Sequence, residues 1–400
     1  MKWETLRADK YCIAVKDGTH DTPKQVDFGY KLVTGKHIKN GQIDSSSAYY
    51  ISEDDYNAIN RRSLVEQWDV IMSMIGTVGE AAVVKNNPDY AIKNVALFKC
   101  GGSEIRGKWL CYYLNSPEGK GRMLGEMKGS SQQFLSLKQL RELPIMFSEE
   151  KVPRIVEMIS NYDDLIENNQ KQIKLLEEAA QRLYKEWFVD LRFPGHENTK
   201  IVDGLPEGWQ YEKLGDLVKT TSGGTPSRRK SEYYVNGNIR WIKTKELNDR
   251  FIFETEEHIT EDAVKNSSAK VLPEGALIVA MYGATIGKIG ITAAEMACNQ
   301  ACCAFISFDD MISKEYLYCW LMDNREYLVS QGKGAAQSNL SQEMIRNFSL
   351  LCPDKKVIKK FTEIVTTMLE NKRVLENKIL MLSKARDDLL PKLMSEEVEV

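Results

Sequence analysis

The chain has 400 residues, of which 42% are hydrophobic, and its formal net charge at pH 7 is -3. This length allows two or three domains that each bury their own core, and the near-neutral charge argues against a uniformly basic nucleic-acid-binding protein, so any DNA contact must use a local patch. Because no apolar run approaches the ~18 residues of a membrane span and no apolar signal-peptide core follows Met1, we expect a cytoplasmic protein.

The first predicted element is a mixed α/β domain over residues 1–150. Runs of β-branched and apolar residues at 69–73 and 95–98 lie between turn signals and predict strands. In the segment 17–21, His20 lies between two carboxylates, a spacing that could support acid–base or metal chemistry. A polar recognition loop is the favoured interpretation, and a catalytic dyad stays open as the alternative.

A long helix is predicted next, over residues 151–192. Apolar residues from Ile159 to Trp187 alternate spacings of three and four, which is the heptad pattern of a coiled coil whose a and d positions face a partner helix. Asn169 lies at a d position, where a polar side chain lowers stability but fixes the register of the pair. A partly solvated seam is the open alternative. The predicted seam residues are Ile159, Ile166, Asn169, Ile173, Leu176, Leu183 and Trp187.

A second mixed α/β domain is predicted over residues 193–352, and it opens with a short linker at 193–208 that contains glycine and proline. The apolar run 276–280 predicts a strand, and residues 223–227 predict a loop. The segment 283–289 resembles a phosphate-binding P-loop, but it has three residues between its glycines instead of four and an isoleucine after its lysine. A tight turn between two strands is the favoured interpretation.

A second long helix, with a carboxy-terminal tail, is predicted over residues 353–400, and Pro391 is expected to end the helix. Its heptad pattern is less regular, and Asn371 again falls at a d position. The simplest partner for each long helix is the other one, and two copies related by a dyad would make the pair antiparallel. The seam residues predicted here are Met368, Asn371, Leu375, Leu382 and Leu389.

The two halves of the chain are related to each other. Residues 129–136 reappear 205 positions later as residues 334–341, and residues 73–79 match residues 280–287 with one insertion. A period this long indicates that each copy is a whole domain with its connecting helix. Two related but unequal domains on one chain indicate a ligand with two related but unequal halves.

No convincing active site or metal site is found in the sequence. The eight cysteines form no Cys-x-x-Cys pair, and only four histidines are present to help them bind a metal. We therefore expect reduced, structural cysteines, no metal site and no catalytic residues in this chain.

A series of short motifs runs along the chain at Trp209 and at residues 15–24, 41–44, 166–188, 214–216, 222–227, 241–247, 283–288, 337–341 and 389–394. In this order they resemble the specificity subunits of type I restriction–modification systems. The second half is similar to the target recognition domain of these subunits, and the first half resembles another branch of the family. The first half lacks the Ser-Gly-Gly-Thr-Pro and Trp-Ile-x-x-x-Glu-Leu forms of the second.

This resemblance implies a fold and a function. The implied fold is mixed α/β, with two globular target recognition domains joined by two long antiparallel coiled-coil helices in a pseudo-two-fold repeat. The implied function is a non-catalytic subunit that reads a bipartite, asymmetric target in double-stranded DNA. The implied partners are two methyltransferase subunits and restriction (motor–nuclease) subunits, which together form a DNA adenine methyltransferase and ATP-dependent endonuclease. S-adenosylmethionine, magnesium and ATP would belong to those partners, and this chain would hold no cofactor.

Comparison of the two copies selects candidate DNA contacts. Residues identical in both copies cannot distinguish two different half-sites, so they should shape the domain or touch phosphates. Positions that differ can carry direct readout, since Arg, Lys, Asn and Gln pair with base edges or phosphates. Residues 228–230 form the strongest basic run of the second domain. The candidates are His20, Thr22, Lys24, Lys36, Lys39, Gln132 and Gln133 in the first copy and Thr225, Ser227, Arg228, Arg229, Lys243, Lys245, Gln337, Ser338 and Asn339 in the second.

Two other classes of protein are alternatives. One is a coiled-coil scaffold whose α/β domains bind proteins, and such a scaffold should show no sequence-selective, salt-sensitive DNA binding. The other is a fused restriction enzyme with its own catalytic domain. That enzyme would require a methyltransferase or nuclease motif, and none is found in the 400 residues.

Overall fold

The computed structural model describes residues 3–76, 78–126, 134–332 and 339–398. The chain divides into two compact units: unit 1 consists of Met1–Leu165 and Leu382–Val400, and unit 2 consists of Ile166–Met381. Each unit therefore contains a part of both long helices.

Unit 1 is mixed α/β and begins with a strand. Its helices and strands are, in chain order, β1 (Glu4–Arg7), α1 (Ala8–Tyr11), β2 (Ala14–Asp17), β3 (Tyr30–Val33), β4 (Ile38–Lys39), β5 (Gln42–Ile43), β6 (Tyr50–Ile51), α2 (Glu53–Ser63), β7 (Val70–Ser73), β8 (Ala81–Val83), β9 (Tyr90–Ile92), β10 (Val95–Lys99), α3 (Glu104–Asn115), α4 (Pro117–Glu126), α5 (Leu137–Glu142), β11 (Pro144–Phe147) and the first part of α6 (Lys151–Tyr184).

The core of unit 1 is built on an antiparallel sheet of order β2-β10-β7-β8. A second sheet has the order β6-β3-β9, in which β3 and β9 are parallel, and β1 pairs with β11. Every residue of β7 and β10 is buried. Strands covered on both faces read as continuous apolar runs, which is why the sequence predicted these two strands, and the structure confirms them.

Unit 2 repeats this plan after α6 ends. Its helices and strands are β12 (Ile201–Val202), β13 (Leu205–Pro206), β14 (Gln210–Lys213), α7 (Leu214–Leu217), β15 (Val218–Ser222), β16 (Ile239–Ile242), β17 (Arg250–Ile252), β18 (His258–Ile259), α8 (Glu261–Lys265), β19 (Val271–Leu272), β20 (Leu277–Ala280), β21 (Ile289–Thr292), β22 (Met296–Cys298), β23 (Cys302–Phe308), α9 (Lys314–Asp323), α10 (Arg325–Gln331), α11 (Gln342–Arg346), β24 (Ser349–Cys352) and the first part of α12 (Lys355–Met394), whose remainder belongs to unit 1.

The sheets of unit 2 correspond to those of unit 1. The larger sheet has the order β15-β23-β20-β21-β17, and the second has the order β18-β16-β22-β19. β16 is parallel to β22, as β3 is parallel to β9, and β14 pairs with β24, as β1 pairs with β11. The mixed α/β fold and the internal repeat predicted from the sequence are thus confirmed.

The two motifs that are repeated in sequence lie side by side within each unit. In unit 1, Ile75 forms an antiparallel bridge with Phe134, and in unit 2, Tyr282 forms the same bridge with Asn339. The backbone N–H of Leu340 donates to the Met281 carbonyl oxygen at 2.7 Å, which closes this contact in unit 2. The two repeated motifs therefore form the same backbone bridge in both units.

The long helices are α6, of 34 residues, and α12, of 40 residues, which correspond to about 51 Å and about 60 Å at the α-helical rise. A π-helical turn over Lys185–Val189 follows α6. Pro391 was expected to end the second helix, but α12 continues to Met394. The reason is packing: Leu390, Leu393 and Met394 are buried in the core of unit 1, which outweighs the one hydrogen bond that the proline lacks.

The predicted seam of α6 lies on its covered face. Ile159, Ile166, Asn169 and Trp187 are buried, and Ile173, Leu176 and Leu183 are half-buried.

The predicted seam of α12 requires a correction. Leu375 is buried, and Met368, Leu382 and Leu389 are half-buried, but Asn371 is exposed and the neighbouring Lys372 is buried. The face is rotated because α12 packs against the globular part of unit 2 as well as against α6. Phe361, for example, lies with its ring 4.9 Å from that of Phe188 and 6.3 Å from that of Tyr316.

Contacts within each unit show that the two long helices are antiparallel. In unit 1, Asp163 Oδ1 lies 2.7 Å from Arg386 Nη1, whereas Lys151, earlier on α6, pairs with Glu396, later in the chain. In unit 2, Glu177 Oε1 lies 2.6 Å from Lys372 Nζ. The Trp187 ring, later on α6, lies 6.0 Å from the ring of Phe361, earlier on α12. The predicted antiparallel pairing is confirmed in each unit.

A buried charge cluster lies between the helices in unit 2. Lys372 Nζ donates to the Asp249 carbonyl oxygen at 2.6 Å and to the Tyr318 hydroxyl at 3.1 Å, and its side chain is 1% exposed. Burial alone would lower the pKa of Lys372, but Tyr318 and the carboxylates of Glu177 and Glu376 outweigh it and raise the pKa. Burial raises the pKa of Glu376 to about 7. Glu177, at 2.6 Å, is therefore the main counter-ion of Lys372, since Glu376 Oε1 lies 3.9 Å away.

Candidate nucleic-acid interface

Each unit anchors one loop through a glycine that lies against a backbone carbonyl. A Cβ atom on Gly223 would lie 1.8 Å from the carbonyl oxygen of Cys298, and a Cβ atom on Gly18 would lie 2.5 Å from that of Ile92. Cys298 ends β22 and Ile92 ends β9, so the two anchors are equivalent. Any side chain at either glycine would push the loop away from the sheet.

The same side-chain position follows each anchor. His20 comes two residues after Gly18, and Thr225 comes two residues after Gly223. His20 Nδ1 lies 2.9 Å from Asn94 Oδ1, and the Thr225 hydroxyl donates to Gln300 Oε1. Asn94 and Gln300 come two residues after the equivalent carbonyls. The imidazole–amide pair of unit 1 and the hydroxyl–amide pair of unit 2 therefore occupy matching places.

In unit 1, His20 is held from a second side. Its Nε2 lies 3.0 Å from Asp17 Oδ2, and Arg62 pairs with the other oxygen of the same carboxylate. The His20 side chain is still 62% exposed. The carboxylate between an arginine and the histidine orients the imidazole toward solvent, which suits a recognition loop.

An apolar surface adjoins His20 in unit 1. Ile75 and Phe134, the bridged pair, are 44% and 47% exposed, and together with His20 and Asp17 they line a cavity of about 410 Å³. The bridged pair of unit 2 is Tyr282 and Asn339, which are polar. The two copies thus present different chemistry at this place.

The loop of unit 2 also carries Arg228, whose guanidinium contacts two rings and a carboxylate. Its guanidinium carbon lies 4.3 Å from the ring centre of Tyr234 and 5.3 Å from that of Trp241, and Nη2 lies 2.6 Å from Glu257 Oε2. The Tyr234 ring is also joined to this loop, because its hydroxyl donates to the Pro226 carbonyl oxygen at 2.6 Å. Arg228 is therefore held in one place, although its side chain is 54% exposed.

Two acidic residues bring the basic candidates Lys243 and Lys245 close to Arg228. Lys243 Nζ lies 2.5 Å from Glu257 Oε1 and 3.1 Å from Glu256 Oε2, and Lys245 contacts Glu256. Burial works against ionisation of Glu257, but hydrogen bonds from Lys243 and Arg228 outweigh it and lower the pKa of its carboxyl. Three candidate cations thus share two carboxylates.

The remaining candidates are dispersed or fall outside the described residues. Thr22 accepts a hydrogen bond from Lys93. Lys24, Lys36, Lys39, Ser227, Arg229 and Asn339 are exposed. Gln132, Gln133, Gln337 and Ser338 lie outside the described residues.

Sequence reasoning did not select Asn94, Gln300, Glu256 or Glu257. The two glutamates had a visible signal, since three acidic residues occur within 254–257, in the domain that holds the basic run 228–230. Asn94 and Gln300 had none, because each lies more than seventy residues from the loop it contacts.

Within the described ranges, no group of three or more His, Cys, Asp or Glu side chains is placed to hold a metal ion, and no helix combines the length and hydropathy of a membrane span. All eight cysteines are free and buried. Burial raises the pKa of Cys303 to about 12 and that of Cys352 to about 11, so both thiols are neutral at physiological pH.

Comparison with known proteins points to one family. Residues 206–381 match the family model of the type I restriction modification DNA specificity domain. The type I restriction enzyme MjaIX specificity subunit of Methanocaldococcus jannaschii is 27% identical over 345 residues, which cover 83% of this chain and 78% of that protein. The HindI specificity subunit of Haemophilus influenzae is 23% identical over 343 residues, covering 69% of this chain and 74% of that protein.

A solved structure shares the fold. The crystal structure of a type I restriction–modification system S subunit from M. genitalium superposes with a TM-score of 0.58 at 16% identity, over 98% of this chain and 96% of the other.

Proposed function

We propose that the chain is a specificity subunit of a type I restriction–modification system, like the proteins it resembles, and that it reads a bipartite, asymmetric DNA target, with one half-site bound by each unit. One observation carries this proposal. Equivalent glycine-anchored loops present His20 with Asn94 in unit 1 and Thr225 with Gln300 in unit 2. The frame is the same and the hydrogen-bonding groups differ, as expected for two half-sites of different sequence.

Readout would use side chains that are already held in place. Imidazole, hydroxyl, amide and guanidinium groups match the donors and acceptors of base edges in the major groove. The pairs His20–Asn94 and Thr225–Gln300 fix these groups before DNA arrives, which lowers the entropy lost on binding. The exposed Lys24, Lys36, Lys39 and Arg229 suit phosphate contacts.

The long helices would dock the methyltransferase subunits. Both helices carry exposed apolar side chains away from their covered faces, namely Leu165 and Leu175 on α6 and Val374, Leu380 and Met381 on α12. Apolar side chains that remain exposed on a helix are typical of a surface that a protein partner covers.

The chemistry would lie in the partners. Methyl transfer and cleavage would use S-adenosylmethionine, magnesium and ATP bound by methyltransferase and restriction subunits, and this chain would act by placing them on DNA. Partner subunits would also supply much of the positive charge that neutralises phosphates, which fits a chain of net charge -3.

Footprinting of the chain assembled with its methyltransferase tests the proposal. We expect two protected segments with specified bases, separated by a segment in which base identity has no effect, and affinity that falls steeply with salt. A single continuous recognised segment would contradict the two-reader proposal. Absence of sequence-selective, salt-sensitive binding would favour a scaffold that binds proteins.

A further inference from the structure

We infer that Arg228 reads one guanine in the half-site of unit 2 and that Glu257 is the positioning residue that holds its guanidinium for this contact. The inference rests on the proposed DNA-reading function and names a base and a residue pair within it. It is carried by the fixed geometry around Arg228.

The guanidinium lies against an aromatic platform formed by Tyr234 and Trp241, with 4.3 Å and 5.3 Å between its carbon and the two ring centres, and the two ring planes meet at 71°. Trp241 is buried. Two rings at this angle contact the guanidinium from two sides and restrict its position, which an ion pair alone does not do.

The platform and the loop that carries Arg228 are joined. Tyr234 donates to the Pro226 carbonyl oxygen at 2.6 Å, and Trp241 Nε1 donates to the Gly224 carbonyl oxygen at 3.1 Å. Gly224 in turn donates its N–H to the Cys298 carbonyl oxygen at 2.9 Å. The arginine is therefore attached to the sheet through its own loop and through the rings beneath it.

Glu257 engages Arg228 on one side only. Its Oε2 lies 2.6 Å from Nη2, while its Oε1 is taken by Lys243 at 2.5 Å. A guanidinium has five N–H donors, so one carboxylate oxygen leaves donors available on a side chain that is 54% exposed. Two coplanar N–H groups match O6 and N7 of guanine, and this is the commonest base-specific contact that arginine makes.

The same geometry disfavours a phosphate contact for Arg228. The carboxylate of Glu257 offsets part of the charge that would attract a phosphate, but it leaves hydrogen-bond donors for a neutral acceptor. Arg229 offers the contrast, since it is exposed and makes no ion pair or ring contact within the described residues. Arg229 suits the DNA backbone, and Arg228 suits a base edge.

The test begins with a map of the sites methylated by the assembled methyltransferase. Arg228→Ala should lower the preference for guanine at one position of one half-site by about 10- to 100-fold and leave the other positions unchanged. Replacing that guanine by 7-deazaguanine, which lacks N7, should weaken binding by the wild-type assembly but have little effect on the Arg228→Ala assembly. Arg229→Ala is the matched control and should weaken binding to all target variants alike.

Glu257→Gln tests the positioning role. It removes the charge that orients Arg228 and should lower selectivity at the same single position, by less than Arg228→Ala does, while the other half-site stays fully selective. A general structural defect would not confine its effect to one base. Glu257→Gln with unchanged selectivity would overturn the role of Glu257.

The remaining outcomes distinguish a failure of the base contact by Arg228 from a failure of the proposed function. Equal weakening on all sequences by Arg228→Ala would identify a phosphate contact, and a half-site of unit 2 without guanine would rule out the reading; either overturns the inference while the two-reader function stands. A wild-type assembly without a bipartite target would overturn the proposed function itself.

Discussion

Two residues beyond its anchoring glycine, unit 1 has His20, whereas unit 2 has Thr225. The imidazole of unit 1 lies between Asn94 and Asp17 and borders the apolar pair Ile75 and Phe134. The hydroxyl of unit 2 pairs with an amide, and its loop continues into an arginine that contacts two rings. The repeated sequence therefore builds a common frame, on which the two units present different chemistry to a ligand.

The polar contacts between α6 and α12 also differ between the two units. In unit 1, Arg386 pairs with Asp163, whose other oxygen accepts from Tyr112 at 2.6 Å, and both charged side chains are about a quarter exposed. In unit 2, Lys372 is 1% exposed and is held by Glu177 and a backbone carbonyl. The polar contact between the helices is thus partly hydrated in one unit and buried in the other, and variants should separate the two.

The largest effect is expected at the buried contact. Lys372→Ala would leave Glu177 and Glu376 without their cation, and the free energy of unfolding should fall by about 3–5 kcal/mol. Asn371→Ala, one residue away and exposed, should change it by less than about 0.5 kcal/mol. Urea unfolding of both variants decides between the observed face of α12 and the heptad register, which predicts the larger effect at Asn371.

The pH dependence of unit 2 comes next in size. The pKa of Glu376 is about 7 in the folded chain, above its ordinary value of 4.5, so the folded state binds the proton more tightly than the unfolded state does. Stability from this group is full below about pH 4.5 and is lost as pH rises to about 7, on the order of 3 kcal/mol. Glu376→Gln should remove this slope. A slope that persists in the variant would assign it to other groups.

Base selectivity should change in one half-site at a time. His20→Ala should reduce discrimination in the half-site of unit 1 by about 1–2 kcal/mol, and Thr225→Val, which keeps the side-chain volume, should do so only in the half-site of unit 2. Competition between duplexes randomised in one half or the other measures both. Loss of selectivity in both halves from either variant would show that the units do not read independently.

The smallest effect is expected at the partly hydrated contact of unit 1. Arg386→Ala should lower the free energy of unfolding by about 1 kcal/mol, because Asp163 keeps its hydrogen bond from Tyr112 and reaches water. Lys174→Ala is the control, since its pair with Glu178 is exposed and should contribute almost nothing. An effect of Arg386→Ala as large as that of Lys372→Ala would remove the contrast between the units.

Elements that depend on a local pattern of residues were predictable from the sequence, whereas contacts between residues distant in sequence were not. The strands β7 and β20 and the covered face of α6 were predictable, because burial leaves a local pattern of apolar residues. Asn371 was assigned to the seam wrongly, since the burial of Lys372 depends on the Asp249 carbonyl and Tyr318, which are distant in sequence.

The candidate interface shows the same limit. Arg228 and Lys243 were selected from charge and composition, and the structure brings them to one carboxylate, Glu257. Their roles toward DNA stay predictions. The partners of His20 and Thr225 were not selected, because Asn94 and Gln300 approach only after the sheets form.

Base-resolution mapping of methylated DNA from the assembled enzyme that contains this chain tests whether the two units read two different half-sites. We expect a motif of two specified segments of different sequence with an unspecified segment between them, of which His20→Ala relaxes one and Thr225→Val the other. A single continuous motif, or two variants that relax the same segment, would contradict this expectation.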